Sequence, residues 1–152
     1  MKVCVAGQGA FGQKHLEGIQ NIKGVEVISL TGGNPDATKE VAQKFKIPHW
    51  TGELAESLKQ PGLEAVILAT PTQMHAKQAI QCLRAGKHVQ VEIPMADTLA
   101  DSREIVKVQK ETGLIAMAGH TRRFNPSHQW VRKKILACMY WKQELQHLRP
   151  HV

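Results

Sequence analysis

A chain of 152 residues, 42% hydrophobic and 5% aromatic, is long enough for one domain that buries roughly 70% of its unfolded surface. Its core must come from Val, Ile, Leu and Ala, which favours an α/β domain over a β-sandwich. The formal net charge of +7 is unevenly placed, with 13 Lys+Arg against 12 Asp+Glu in residues 1–119 and 7 against 1 in residues 120–152. The basic excess therefore describes the last segment and not the whole fold; no nucleic-acid motif or base-stacking aromatic platform accompanies it, and nucleic acid is not the expected partner. No run approaches the ~20 apolar residues of a membrane span, and the N-terminus enters a strand instead of a signal sequence, so a cytoplasmic protein is expected. Cys4, Cys82 and Cys138 are odd in number and scattered, which offers neither a disulfide framework nor a Cys-x-x-Cys metal site.

The chain opens on a β-type run, Val3 to Ala6, that leads directly into Gly7-Gln8-Gly9-Ala10-Phe11-Gly12. Phe11, His15 or Leu16, Ile19 and Ile22 then recur at helical spacing before Gly24. Strand, glycine turn and helix are the context in which G-x-G-x-x-G holds a dinucleotide. The first glycine turns off the strand, the second lets backbone approach a pyrophosphate, and the third lets helix and strand pack closely. The unpaired amides and the positive dipole end of that helix hold an anion without a basic side chain, so Lys14 need not be a ligand. A glycine-rich turn with a purely structural role is the competing reading.

Val25 to Leu30 reads as a second strand, and Asn34-Pro35 opens a helix that runs to about Phe45, with Asn34 as N-cap. Ile47 to Trp50 has room for only a stub of strand, and Glu53 to Leu58 for a short helix before Pro61-Gly62. Ala65 to Ala69 is continuously apolar, as expected of a parallel strand covered on both faces at the sheet centre. A helix follows from Thr70-Pro71-Thr72, with Ala76, Ala79, Ile80 and Leu83 on one face and Gly86 at its end. His88 to Val91 is a strand, Thr98 to Thr112 a helix with Thr98 and Asp101 as a capping pair, Leu114 to Ala118 a strand, and Pro126 begins a last helix. The alternation predicts a doubly wound parallel sheet with helices on both faces, in the strand order 3-2-1-4-5-6.

Four motifs carry a family resemblance: Gly7-x-Gly9-x-x-Gly12-x-x-His15, Thr70-Pro71-Thr72-x-x-His75, Ala85-Gly86-Lys87-His88-Val89-x-x-Glu92-x-Pro94 and Arg122-Arg123-Phe124-Asn125-Pro126. In this order they resemble the N-terminal Rossmann domain of the Gfo/Idh/MocA oxidoreductases. The resemblance implies an NAD(P)-dependent dehydrogenase whose second, substrate-holding domain is not among these residues. Gln90 to Asp97 and Gly119 to His128 most resemble members that oxidise a carboxylated semialdehyde, as its cyclic hemiacetal, with NADP. The likeness spans residues 1 to about 137, which gives an expected Rossmann domain at 1–137 and a basic tail at 138–152.

By that resemblance Gly7, Gln8, Gly9, Ala10, Phe11, Gly12, Thr31, Gly32, Thr70, Pro71, Thr72, His75 and Glu92 are the candidate cofactor residues. Glu92 either orients the nicotinamide ribose or carboxamide or is a solvated strand-end carboxylate. His75 either meets the cofactor or caps locally, and His15 packs behind the glycine loop. Arg122 and Arg123 either meet substrate carboxylates or belong to a solvated basic loop. Ile93 stands where most of the family has Lys, so no catalytic lysine transfers and no catalytic residue is assigned. Where an NAD enzyme places an acid, about 20 residues past the glycines, this chain has Thr31-Gly32-Gly33. That favours NADP without excluding NAD, although the nearest cation, Lys39, lies a turn into the next helix; Asp36 in the first turn of that helix offsets its dipole. The expected function is the dinucleotide-binding part of an oxidoreductase, truncated and inactive alone and open to self-association through apolar surface left for a second domain. The alternative is a non-catalytic dinucleotide-binding or interaction module.

Overall fold

The computed structural model describes residues 1–147. They form two units, Met1–Gly119 and a second that begins at His120. In the first, six parallel strands run in the order β3-β2-β1-β4-β5-β6, which is the doubly wound Rossmann arrangement that the alternation of periods predicts. The strands are β1 (Lys2–Ala6), β2 (Glu26–Thr31), β3 (His49–Thr51), β4 (Ala65–Leu68), β5 (His88–Glu92) and β6 (Ala116–Gly119). The helices between them are α1 (Ala10–Ile19), α2 (Pro35–Lys44), α3 (Leu54–Ser57), α4 (Thr72–Arg84) and α5 (Leu99–Thr112).

Side chains that alternate along each strand divide the core into two layers. Val3, Val5 and Leu30 pack with Leu16, Ile19 and Val41 of α1 and α2. Cys4, Ala6, Val66, Leu68, Val89 and Val91 pack on the opposite face with Leu54, Ala79, Leu83, Ile105 and Val108 of α3, α4 and α5. β1 and β4 lie at the centre, paired in register from Val3 with Ala65 to Ala6 with Leu68. That central pairing brings the ends of β1 and β4, where the glycine loop and Thr70 begin, side by side.

Local chemistry sets the helix ends. Asn34 Oδ1 accepts from the Ala37 amide at 3.0 Å, with Pro35 as first helical residue. Thr98 Oγ1 accepts from the Asp101 amide at 3.0 Å and donates to the Asp101 carboxylate at 2.7 Å. Gly113 then stops α5 at φ +67°, where its amide donates to the Gln109 carbonyl at 2.9 Å.

The second unit holds a 3-10 turn, Thr121–Phe124, and helix α6, Pro126–His147. Asn125 caps α6, its Oδ1 accepting from the amides of Ser127 at 2.9 Å and His128 at 3.3 Å. The junction of residues 137 and 138 falls inside α6, and residues 148–152 of the expected basic tail lie outside the described residues.

Candidate functional site

A cleft of about 850 Å3 opens at the carboxyl ends of β1, β2, β3 and β4. This is the edge at which doubly wound sheets bind ligands. Its floor is the glycine loop. Gly7 takes φ +118°, and its amide donates to the Thr31 carbonyl at 2.7 Å. A Cβ on Gly7 would collide with the Ala69 carbonyl, and one on Gly12 with the carbonyl of Gly7 itself. Gly9 differs: nothing lies within 4 Å of the position its Cβ would take. It is the N-cap of α1, with no side-chain cap and no acid in the first turn. The amides of Ala10 and Phe11 therefore face the cleft unneutralised, the arrangement that receives an anion.

The β2 side of the cleft presents backbone. Thr31, 5% exposed, is bonded through its hydroxyl to Ser57 at 2.7 Å; Ser57 bonds Ser29 at 2.7 Å, and Ser29 bonds His49 Nδ1 at 2.8 Å. That buried chain of hydroxyls occupies Thr31 from within. A Cβ on Gly32 would meet Thr38 Oγ1 and Gln8 Oε1, whereas Gly33 has open space around it. No carboxylate stands at residues 31 to 33; the charged side chains lining the cleft are Glu53 and Lys77.

Opposite lies the β4–α4 corner. Pro71 is the N-cap of α4, which has no side-chain cap and no acid in its first turn. The Thr70 hydroxyl donates to Gln78 Oε1 at 2.6 Å. His75 is 1% exposed, with Nε2 2.8 Å from the Thr70 carbonyl and Nδ1 2.8 Å from the Pro94 carbonyl. The imidazole thus sits between the β4–α4 corner and the segment after β5, and its single N–H in the neutral form donates to one of the two carbonyls.

Of the residues that the sequence singles out, Gly7, Gln8, Gly9, Ala10, Phe11, Thr31, Gly32, Thr70 and Pro71 line this one cleft. Gly12, Thr72, His75 and Glu92 lie outside its lining. Glu92, 7% exposed at the end of β5, places Oε1 2.8 Å from Nε2 of His15 on α1. Arg122 and Arg123 sit exposed on the 3-10 turn of the second unit. Sequence reasoning missed Met74, Gln78 and Gln81. They stand at i, i+4 and i+7 along α4, the spacing of a single helix face, and all three line the cleft.

Residues 1–120 match the Gfo/Idh/MocA model, an oxidoreductase family with an NAD-binding Rossmann fold. The chain belongs to this family. Over 137 residues it is 54% identical to a 4-carboxy-2-hydroxymuconate-6-semialdehyde dehydrogenase of Sphingobium sp., a match covering 90% of this chain and 44% of that enzyme. It is 29% identical over 136 residues to a scyllo-inositol 2-dehydrogenase (NAD(+)) of Bacillus subtilis, covering 89% and 40%. Among solved structures, a biliverdin reductase from Synechocystis in complex with biliverdin and NADP+ superimposes with a TM-score of 0.81 at 25% identity, covering 88% of this chain and 42% of that one. This Gfo/Idh/MocA chain spans less than half the length of these relatives. It carries the nicotinamide-dinucleotide-binding oxidoreductase domain of the family.

Proposed function

We propose that this Gfo/Idh/MocA domain holds NADP in the cleft and serves a dehydrogenase that oxidises a carboxylated semialdehyde in its cyclic hemiacetal form. The observation that carries the cofactor half is the uncapped, acid-free N-terminus of α1 opening beside Gly9, with no Cβ between backbone and cleft. The cofactor supplies the hydride acceptor when bound. The amides of Ala10 and Phe11 bind its pyrophosphate, and the backbone of Thr31 to Gly33 lies along its adenosine ribose. NADP is preferred because a carboxylate at the end of β2 would repel a 2′-phosphate, and residues 31 to 33 bring none.

The substrate assignment draws on the 54% identity to the semialdehyde dehydrogenase. In such an oxidation the hemiacetal carbon gives up its hydride to the cofactor and its hydroxyl gives up a proton, so that the carbon becomes a carbonyl and the existing ring becomes a lactone. Glu92, held by His15, orients the nicotinamide half, and Arg122 and Arg123 meet substrate carboxylates bidentately. The 152 residues hold cofactor without useful turnover, since Ile93 cannot accept the hydroxyl proton and proximity to a second bound reactant supplies much of the rate. Exposed Ile22, Ile115 and Met117 favour self-association of the chain.

Titration of the purified chain with NADPH and NADH, followed by an assay of NADPH formation from the semialdehyde, tests this reading. Saturable binding with NADPH tighter, and turnover far below ~1 per second, the low end of the usual enzyme range, is expected. Absence of dinucleotide binding overturns the reading.

A further inference from the structure

We infer that Gln78 reads the purine base of the dinucleotide, an inference that rests on the dinucleotide reading of the cleft. In a doubly wound sheet the pyrophosphate lies on α1 and the adenosine ribose at the end of β2. The base then occupies the adjoining part of the cleft, between the β3–α3 turn and α4. Leu54 and Ala55 of α3 supply one wall, and Met74 of α4 supplies apolar surface on the other, a slot suited to a planar ring.

Gln78 is 7% exposed and lines this slot. Its Oε1 accepts the Thr70 hydroxyl at 2.6 Å, and His75 Nε2 lies 2.8 Å from the Thr70 carbonyl. Thr70 therefore spends its hydroxyl inside the protein, and the carboxamide is fixed with its NH2 turned away from Thr70. No acceptor for Nε2 is found among the described residues, yet no fully buried polar atom there lacks a partner. The Nε2 group therefore keeps accessible surface, on a residue that lines the cleft. A side chain more than nine-tenths buried, locked at one end and unpaired at the other, offers a hydrogen-bond donor at a fixed point, which an acceptor on the edge of a purine ring satisfies. Thr70 and His75 are positioning residues for Gln78 in this arrangement.

The test is calorimetric titration of the 152-residue chain and its Gln78→Met and Gln78→Glu variants with NAD and with nicotinamide cytosine dinucleotide, alongside NADPH binding to the unaltered chain and melting curves for all three. The unaltered chain should prefer the adenine dinucleotide. Gln78→Met should weaken NAD roughly tenfold, the worth of one hydrogen bond from a desolvated amide, and leave the cytosine dinucleotide nearly unchanged, so that the preference collapses, with melting lowered by several degrees as the Thr70 hydroxyl loses its acceptor. Gln78→Glu keeps an acceptor for the Thr70 hydroxyl but removes the donor, and it decides the question if the Met variant fails to fold. It too should lose the preference. Unaltered base preference in whichever variant folds overturns the inference, as does full NAD affinity in Gln78→Glu, which would mean that an acceptor faces the base. A chain that binds neither NADPH nor NAD overturns the dinucleotide reading itself, a result distinct from normal binding with unaltered preference.

Discussion

The carbonyl of Gly7 fills the space that a Cβ on Gly12 would need. Gly9, midway between in the same motif, has nothing within 4 Å of its Cβ position and an ordinary extended backbone at φ −70° and ψ −174°. The motif therefore separates into glycines the fold requires and one, Gly9, on which the fold places no steric demand. Gly12→Ala should cost about 2 kcal/mol or more, because a backbone carbonyl cannot step aside as a side chain does, and melting should fall by several degrees. Gly9→Ala should melt at or slightly above the unaltered temperature while dinucleotide affinity drops at least tenfold. Calorimetry and titration on the two variants check this, and tight binding by Gly9→Ala would remove Gly9 from the site.

The sheet order and the glycine loop were legible because they depend on local signals: a shift from strand to helix period, Asn34-Pro35, Thr98 with Asp101, and glycines at helix ends. What was not legible depends on long-range register. His15 and Glu92 meet across a separation of 77 residues, and nothing in either segment alone names the other. Thr31 read as a cofactor residue from its position after β2, while its hydroxyl is bonded to Ser57, a residue unremarkable in sequence. Gln78 had a visible signal, the stripe with Met74 and Gln81, but helical spacing does not say whether a stripe faces core or cleft until α3 is placed opposite.

The Glu92 carboxylate fixes a requirement at the end of the neighbouring strand. A Cβ on Gly119 would stand 2.8 Å from Glu92 Oε1 and 3.2 Å from Gln90 Nε2. Gly119→Ala should destabilise the chain by about 1 kcal/mol or more by pushing the carboxylate off His15. In a Glu92→Ala background the same substitution should cost less, giving a coupling of roughly 0.5–3 kcal/mol in a double-mutant cycle. Strict additivity in denaturant melts would show that the pair and Gly119 are independent.

Burial pushes the Cys4 and Cys82 thiols above the ordinary value of 9.0, while Cys138 is exposed. A thiol reagent at neutral pH should label Cys138 rapidly and reach Cys4 and Cys82 only on unfolding. The raised values also set a sign. The folded chain keeps these protons at pH values where the unfolded chain releases them, so their contribution is fully present below about pH 9 and is lost as pH climbs above the unfolded value. Denaturant midpoints that hold steady to pH 8 and decline between pH 9 and 10.5, with less decline in Cys82→Ala, are the expected result; rapid labelling of all three thiols in the native chain would contradict the burial.

The end of β2 offers a direct handle on cofactor choice, because its two glycines are not equivalent. An acid at position 32 would drive its Cβ into Thr38 and Gln8, whereas position 33 has open space. Gly33→Asp therefore adds a carboxylate to the cleft rim at little steric cost, two residues past the hydroxyl-anchored Thr31. That carboxylate accepts from ribose hydroxyls and repels a 2′-phosphate. Affinity for NADPH should fall at least tenfold while affinity for NADH holds or rises, and the NADPH penalty should shrink as salt is raised from about 50 mM to 500 mM, since an exposed like-charge contact is screened. Melting should stay within a few degrees of the unaltered chain. Equal losses for both dinucleotides would mean that the substitution disturbs the loop itself, and an unchanged NADPH affinity would place the 2′-phosphate away from the end of β2.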